Sequence, residues 1–275
     1  MDRKEVFIDF DRLFENYADK YYHEHEYEYD RPDDFARDLD KVYNEWATSP
    51  QTVLGGLSPS EFFEKIPTGE LIDILKGACA GDNNPSSLLF DRIASEPSLL
   101  DGLCELAKDS SDEKLLNVTL SLINELGGGE NCFYLDMIER DIDAAVKEQC
   151  IDMLCSRASE VESELLSRAQ KTDDVGMIEL YLEVLTYCKP GNDKILDFLK
   201  MMLELDPNTA FIAGLIARYG DERAVAYLYP LLDTCDYAAY LEIRNAIEEL
   251  GGSVDDNYRD FSGDPMYIAL KGKKF

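Results

Sequence analysis

"ARYGDERAVAYLYPLLD", Ala217 to Asp233, reads as one helix ending, a tight corner and a second helix beginning. Gly220 has no Cβ to clash in the left-handed conformation that closes a helix. Asp221 offers a carboxylate to the free backbone N–H groups of the helix that follows. Beyond it Ala224, Val225, Leu228, Leu231 and Leu232 fall at i, i+1, i+4, i+7 and i+8, one apolar stripe at helical spacing. Pro230 lies inside that stripe, where a proline removes an N–H and kinks the helix.

The corner recurs. Rows that begin at Leu122, Met153, Val184, Leu215 and Ala246 stand 31 residues apart and stack without a gap. Their second column is Ile123, Leu154, Leu185, Ile216 and Ile247, apolar throughout, and their sixth holds Gly127, Gly220 and Gly251. An aspartate recurs at Asp112, Asp143, Asp174 and Asp236, with Asp206 one place out of register before Pro207. A weaker row begins at Asp91. A fixed period of this length signals stacked supersecondary units that cannot bury their apolar faces alone. Each row resolves into two helices, in the row from Leu215 roughly Glu222 to Leu232 and Tyr237 to Leu250, with the aspartate as N-cap of the second. Sustained strand alternation is missing from the rows. The expected class is all-α, an α-solenoid of about five to six helix pairs.

"GDERAVAYLYPLLDTCDYAAYLEIRNAIEELG", Gly220 to Gly251, resembles a short HEAT-like repeat of the phycobilisome-lyase group. The shared features are the Gly-Asp corner, an apolar first helix with a proline, an Asp before the second helix, and a closing Leu-Gly. Val146-Lys147 takes the place of the pattern's Val-Arg in the row from Leu122, while Tyr240 and Ile178 stand where it usually carries arginine. The resemblance covers Pro59 to Gly252. It implies the fold, and it leaves scaffolds, a DNA-glycosylase group and bilin lyases all open as functions.

Residues 1–57 stand outside the period and read as an N-terminal helical cap, 58–252 as the repeat solenoid and 253–275 as a C-terminal tail or cap. "EVFIDFDRLFENYADKYY" carries Phe7, Phe10, Leu13, Phe14 and Tyr17 on an amphipathic helix, and a second helix is expected from Pro32 to Trp46. Ser58 and Pro59 have the types of an N-cap and a first helical position. The Trp-x3-Pro-x3-Leu-Gly-Gly stretch from Trp46 follows a pattern that recurs in bacterial sequences.

Lys and Arg number 27 against 57 Asp and Glu, a net charge of −30. Such a surface repels phosphate backbones, so nucleic acid is excluded and the glycosylase branch with it. Seven cysteines, an odd number scattered through the rows, read as small core residues in a reducing compartment. No apolar run suits a signal peptide or a membrane span, and a cytoplasmic protein is expected.

Catalytic motifs are missing: no Gly-x-Ser-x-Gly, no His-Glu-x-x-His and no Gly-x4-Gly-Lys. The glycines of "GGGE", Gly127 to Glu130, are explained as a turn. "HEHEYEYD" holds both histidines, His23 and His25; in an extended segment residues two apart share a face, so both imidazoles, with Glu28 or Asp30, could meet a metal. The expectation is nevertheless no enzyme and no cofactor, with an enzyme or a ligand-binding or metal-binding module that uses the N-terminal cap as the alternative.

Surface geometry then carries the functional reading. Second helices of HEAT-like arrays line a concave side, and their polar columns collect Glu125, Glu148, Asp152, Glu179, Glu183, Tyr187, Arg218, Asn245 and Glu249. Side by side these would form an acidic groove for a basic peptide or protein segment, with Tyr187 as anchor. The expectation is a non-enzymatic protein-interaction scaffold.

Overall fold

The computed structural model describes residues 8–29, 31–80, 85–205, 208–255 and 258–272, and among them every regular element is helical. Packing divides the chain into two compact units, Met1–Glu130 and Asn131–Phe275.

In the first unit α1 (Phe10–His25), α2 (Pro32–Phe35) and α3 (Leu39–Thr48) precede α4 (Pro59–Glu64), α5 (Leu71–Cys79) and α6 (Ser87–Ala94). A contacting pair, α7 (Leu100–Asp109) and α8 (Glu113–Glu125), completes it. The first helix starts later than the apolar pattern implied, because Asp9 caps it by accepting the Arg12 N–H at 2.9 Å; Phe7 lies outside the described residues. Phe10 is buried, its ring 5.6 and 4.7 Å from those of Phe62 and Phe63, and Phe14 meets Tyr43 and Trp46 at 5.0 and 5.3 Å. These aromatic contacts give the N-terminal helices one core with α4. The helix expected from Pro32 to Trp46 is broken by a 3₁₀ turn at Ala36–Asp38. Ser58 starts α4 with a full capping box: its hydroxyl accepts the Glu61 N–H, and the Glu61 carboxylate accepts the Ser58 N–H.

The second unit runs α9 (Asn131–Ile138), α10 (Ala144–Cys155), α11 (Ala158–Ala169), α12 (Val175–Leu185), α13 (Asp193–Leu205) and α14 (Thr209–Tyr219). It ends with α15 (Val225–Leu228), α16 (Tyr237–Glu249) and α17 (Pro265–Gly272). Neighbours pair: α9 with α10, α11 with α12, α13 with α14, α15 with α16. The second members also touch in series, α10 to α12 to α14 to α16, and form a continuous row. That row is held by Val146, Leu154, Leu182, Leu185, Ile212, Ile216, Ile243 and Ile247, all buried.

Cap chemistry places the row. Asp112 in the first unit, and Asp143, Asp174 and Asp236 in the second, each accept a backbone N–H at the start of α8, α10, α12 and α16. At α14 the register slips. Asp206 lies outside the described residues, and the cap there is Asn208, which accepts the Phe211 N–H at 3.4 Å. Gly220 closes α14 in the left-handed region (φ 75°), as the corner demanded, and Asp221 accepts the Arg223 N–H at 3.1 Å.

The helix expected from Glu222 to Leu232 is a broken rod. A 3₁₀ turn at Glu222–Ala224 leads into α15, and Pro230 throws the chain into a second 3₁₀ stretch, Tyr229–Asp233. Tyr240 and Ile178, standing where arginine was usual, are both buried, so no Asp–Arg ladder runs through those columns. Polar contacts instead join successive corners and first helices. Asn131 donates to Glu160 at 3.0 Å, Arg168 to Glu139 at 2.5 Å, Asn192 to Glu162 at 2.6 Å and Arg223 to Asp193 at 2.6 Å. Their partners lie 29, 29, 30 and 30 residues apart, so the period shows in contacts as well as in letters.

After Gly252 the chain packs onto α16. Phe261 is buried 4.6 Å from the Tyr240 ring, and Arg259 donates to the carbonyls of Leu232 and Cys235.

Candidate functional site

The sequence-predicted site falls on exposed or half-exposed positions throughout. Glu125 is exposed on α8 of the first unit; the other eight residues belong to the second. Glu148 and Asp152 are exposed on α10, Arg218 on α14, and Asn245 and Glu249 on α16. Tyr187 follows α12 and exposes 55% of its surface, whereas Glu179 and Glu183 are half-buried on α12 rather than fully solvated.

The charges of three of these side chains act on one thiol. The Cys155 thiol is pushed up to about 11, first by burial, then by the negative fields of Glu183 and Asp152, with Arg218 pulling the other way. α10, α12 and α14 touch in series, and a charged residue of each acts on Cys155. The Arg218 guanidinium sits over the Tyr187 ring, 5.2 Å from its centroid, which holds the exposed tyrosine upright by a cation–π contact. One turn before Arg218 on α14, a Cβ added at Gly214 would meet nothing within 4 Å. Phe211, on the same helix, exposes 36% of its surface. Reading for polar columns missed Phe211, because an aromatic at the start of an apolar run carries the same letter pattern as a core residue.

Cysteines divide by position. Cys79, Cys150 and Cys188 are buried as core residues; Cys104, Cys155 and Cys235 are half-exposed and Cys132 is exposed. All seven are unbonded to one another.

The histidine segment is not extended. His23 and His25 close α1, and two residues along a helix turn the side chains about 200° apart, so they do not share a face. His25 stacks on Tyr21 at 4.1 Å and its Nδ1 lies 2.9 Å from the Tyr21 carbonyl. Asp30, one proposed companion, lies outside the described residues. Among the described residues no group of three or more His, Cys, Asp or Glu is placed to hold a metal, and no helix is long and apolar enough to cross a membrane.

Compared with known proteins, the chain matches no family model, no curated protein and no solved structure.

Proposed function

We propose that the chain is a HEAT-like α-solenoid that acts as a non-enzymatic interaction scaffold, and that the α10–α12–α14 face of its second unit binds a basic peptide or protein segment. The observation that carries this reading is the exposed Tyr187 ring under the Arg218 guanidinium, on a face where Asp152, Glu183 and Arg218 all act on the Cys155 thiol. An apolar ring with a polar tip, fixed in place and rimmed by carboxylates, is an anchor of low ordering cost for a cationic side chain. A lysine or arginine from a partner would take over the Tyr187 face that Arg218 now covers.

Glu148 and Glu179 extend the acidic rim, and Asn245 and Glu249 continue it along α16. The net charge of −30 draws cations to any such face and disfavours nucleic acid and anionic surfaces. Seven unbonded cysteines fit a cytoplasmic setting.

The test is the pair Glu179→Lys and Glu183→Lys together. Basic dodecapeptides selected on the wild-type protein should bind the double variant about tenfold or more weakly, with a smaller dependence on salt. A circular-dichroism melt checks that the variant folds. Unchanged affinity and unchanged salt dependence in a folded variant would refute the binding face.

A further inference from the structure

A recess lies at the C-terminal end of the second unit. Tyr237, Tyr240 and Arg244 recur at i, i+3 and i+7 along α16 and form one wall; Arg259, Phe261 and Tyr267 form the other. The open recess that these residues line has a volume of about 290 Å³. A dry cavity of about 150 Å³ accepts benzene, so there is room here for one aromatic ring and a polar substituent.

The walls are aromatic and ordered. Tyr237 meets Tyr267 edge-on at 4.9 Å and Phe261 at 5.0 Å, and Tyr240 meets Phe261 at 4.6 Å. Edge-to-face and tilted ring contacts of this kind extend naturally to one more ring. The charge is the unusual part. In a chain with 57 acids to 27 bases, two guanidiniums line one cavity. Arg259 is pinned by Nη1, which donates to the Leu232 and Cys235 carbonyls at 3.1 and 2.5 Å, and its guanidinium lies 4.8 Å from the Phe261 ring centroid. Arg244 is steadied through Nε, which donates to Glu248 at 2.8 Å.

The acids nearby are engaged, Glu248 with Arg244 and Asp264 within the field of Arg259. Asp260, the one acid of the lining among the described residues, accepts the Ser262 N–H on Oδ1 and the Ser262 hydroxyl on Oδ2. Asp264 accepts the backbone N–H groups of Tyr237, Met266 and Tyr267. Planar guanidiniums with fixed orientation match the two oxygens of a carboxylate.

We infer that this recess is a binding site for a small single-ring aromatic carboxylate, its ring laid against the packed cluster of Tyr237, Phe261 and Tyr267 and its carboxylate toward Arg244 and Arg259. This site is independent of the acidic face on α10, α12 and α14, and its ligand has the opposite charge.

Calorimetric titration of the full chain with benzoate, phenylacetate and 4-hydroxybenzoate tests it, with benzyl alcohol and acetate as the ring-only and charge-only probes. At least one ring carboxylate should bind with a dissociation constant on the order of a millimolar or below. Benzyl alcohol and acetate should bind about tenfold more weakly or worse. Arg244→Gln should lower carboxylate affinity about tenfold while the thermal melt stays put. Tyr267→Leu, which leaves both arginines in place, should weaken the ring carboxylates and leave the weak acetate signal unchanged, and it serves as the second variant should Arg244→Gln unfold. No binding of any of the three carboxylates, equal binding of benzyl alcohol, or affinity indifferent to these substitutions in folded protein would each overturn the inference.

Discussion

At the scale of single residues the corner Gly220-Asp221 shows how two letters set a chain direction. Gly220 sits at φ 75°, and an alanine there has room for its Cβ, since the only atom within 4 Å is the Arg218 carbonyl oxygen at 4.0 Å. The cost of Gly220→Ala is therefore backbone strain alone, about 1–2 kcal/mol, readable as a lower urea midpoint at unchanged slope. Asp221 is buried, and its carboxyl is held below the usual carboxylate range, chiefly by the Arg223 side chain, whose Nε and Nη2 reach it at 2.9 and 2.7 Å. A folded-state value below the unfolded one means that the unfolded chain binds the proton more readily. The stabilisation is thus complete above the unfolded value near 3.9 and is lost as pH falls from there through the folded value. Asp221→Asn should lower stability at neutral pH and flatten the acid-side decline below about pH 4. An acid titration of the denaturation midpoint reads both, and an unaltered slope would mean that Asp221 is not coupled to folding. Both roles were legible in advance, because a glycine followed by aspartate at a helix end has few other local uses. That Arg223 also reaches Asp193 was not legible, since the partner sits 30 residues away.

Elements begin where their caps are. Asp143 accepts the Ala145 N–H at 2.8 Å and Asp174 the Met177 N–H at 3.2 Å, whereas Asn208 reaches Phe211 N only at 3.4 Å. Replacement of either aspartate by alanine should cost about 1 kcal/mol, and Asn208→Ala distinctly less, because a long bond from a neutral cap has less to lose. Urea melts of the three variants check the order, and an Asn208→Ala loss equal to the others would contradict it. Cap columns were visible as recurring aspartates; the slip at Asn208 was not, because Asp206 and Asn208 are both good caps by type. Element type can fail the same way. His23 and His25 alternate with acids as a strand would, yet they end α1, whose capped start at Asp9 and buried Phe10 and Ala18 settle the helix. The alternation of His and Glu from His23 to His25 is outweighed by packing of the turns before it.

For the whole molecule the period itself can be cut. Ala144 of α10 and Val175 of α12 stand 31 residues apart at equivalent first positions. Deletion of Met153–Glu183 joins Asp152 to Val184, rebuilds one helix in register and removes α11 with its own buried stripe of Val161, Leu165 and Leu166. Deletion of Val161–Gly176, about half as long, severs α11 and leaves apolar surface uncovered. The longer deletion should melt cooperatively at a temperature closer to wild type, and the shorter should aggregate. Circular-dichroism melts with light scattering decide, and the reverse order would show that the 31-residue row is not the structural unit.

What the sequence determined by itself is the helical class, the corners and the caps, because these depend on residues within about one turn of each other. The exposed columns of α10, α12, α14 and α16 followed from the same local periodicity. Only the tertiary structure decided which columns act together: Asp152, Glu183 and Arg218 on the Cys155 thiol, and Arg244 with Arg259 across an aromatic recess. The reason is physical. A helix face is set by a spacing of three and four residues along the chain, whereas a cavity is set by how two separately folded faces stop against each other, and bulky rings such as Tyr240 and Phe261 fix that distance.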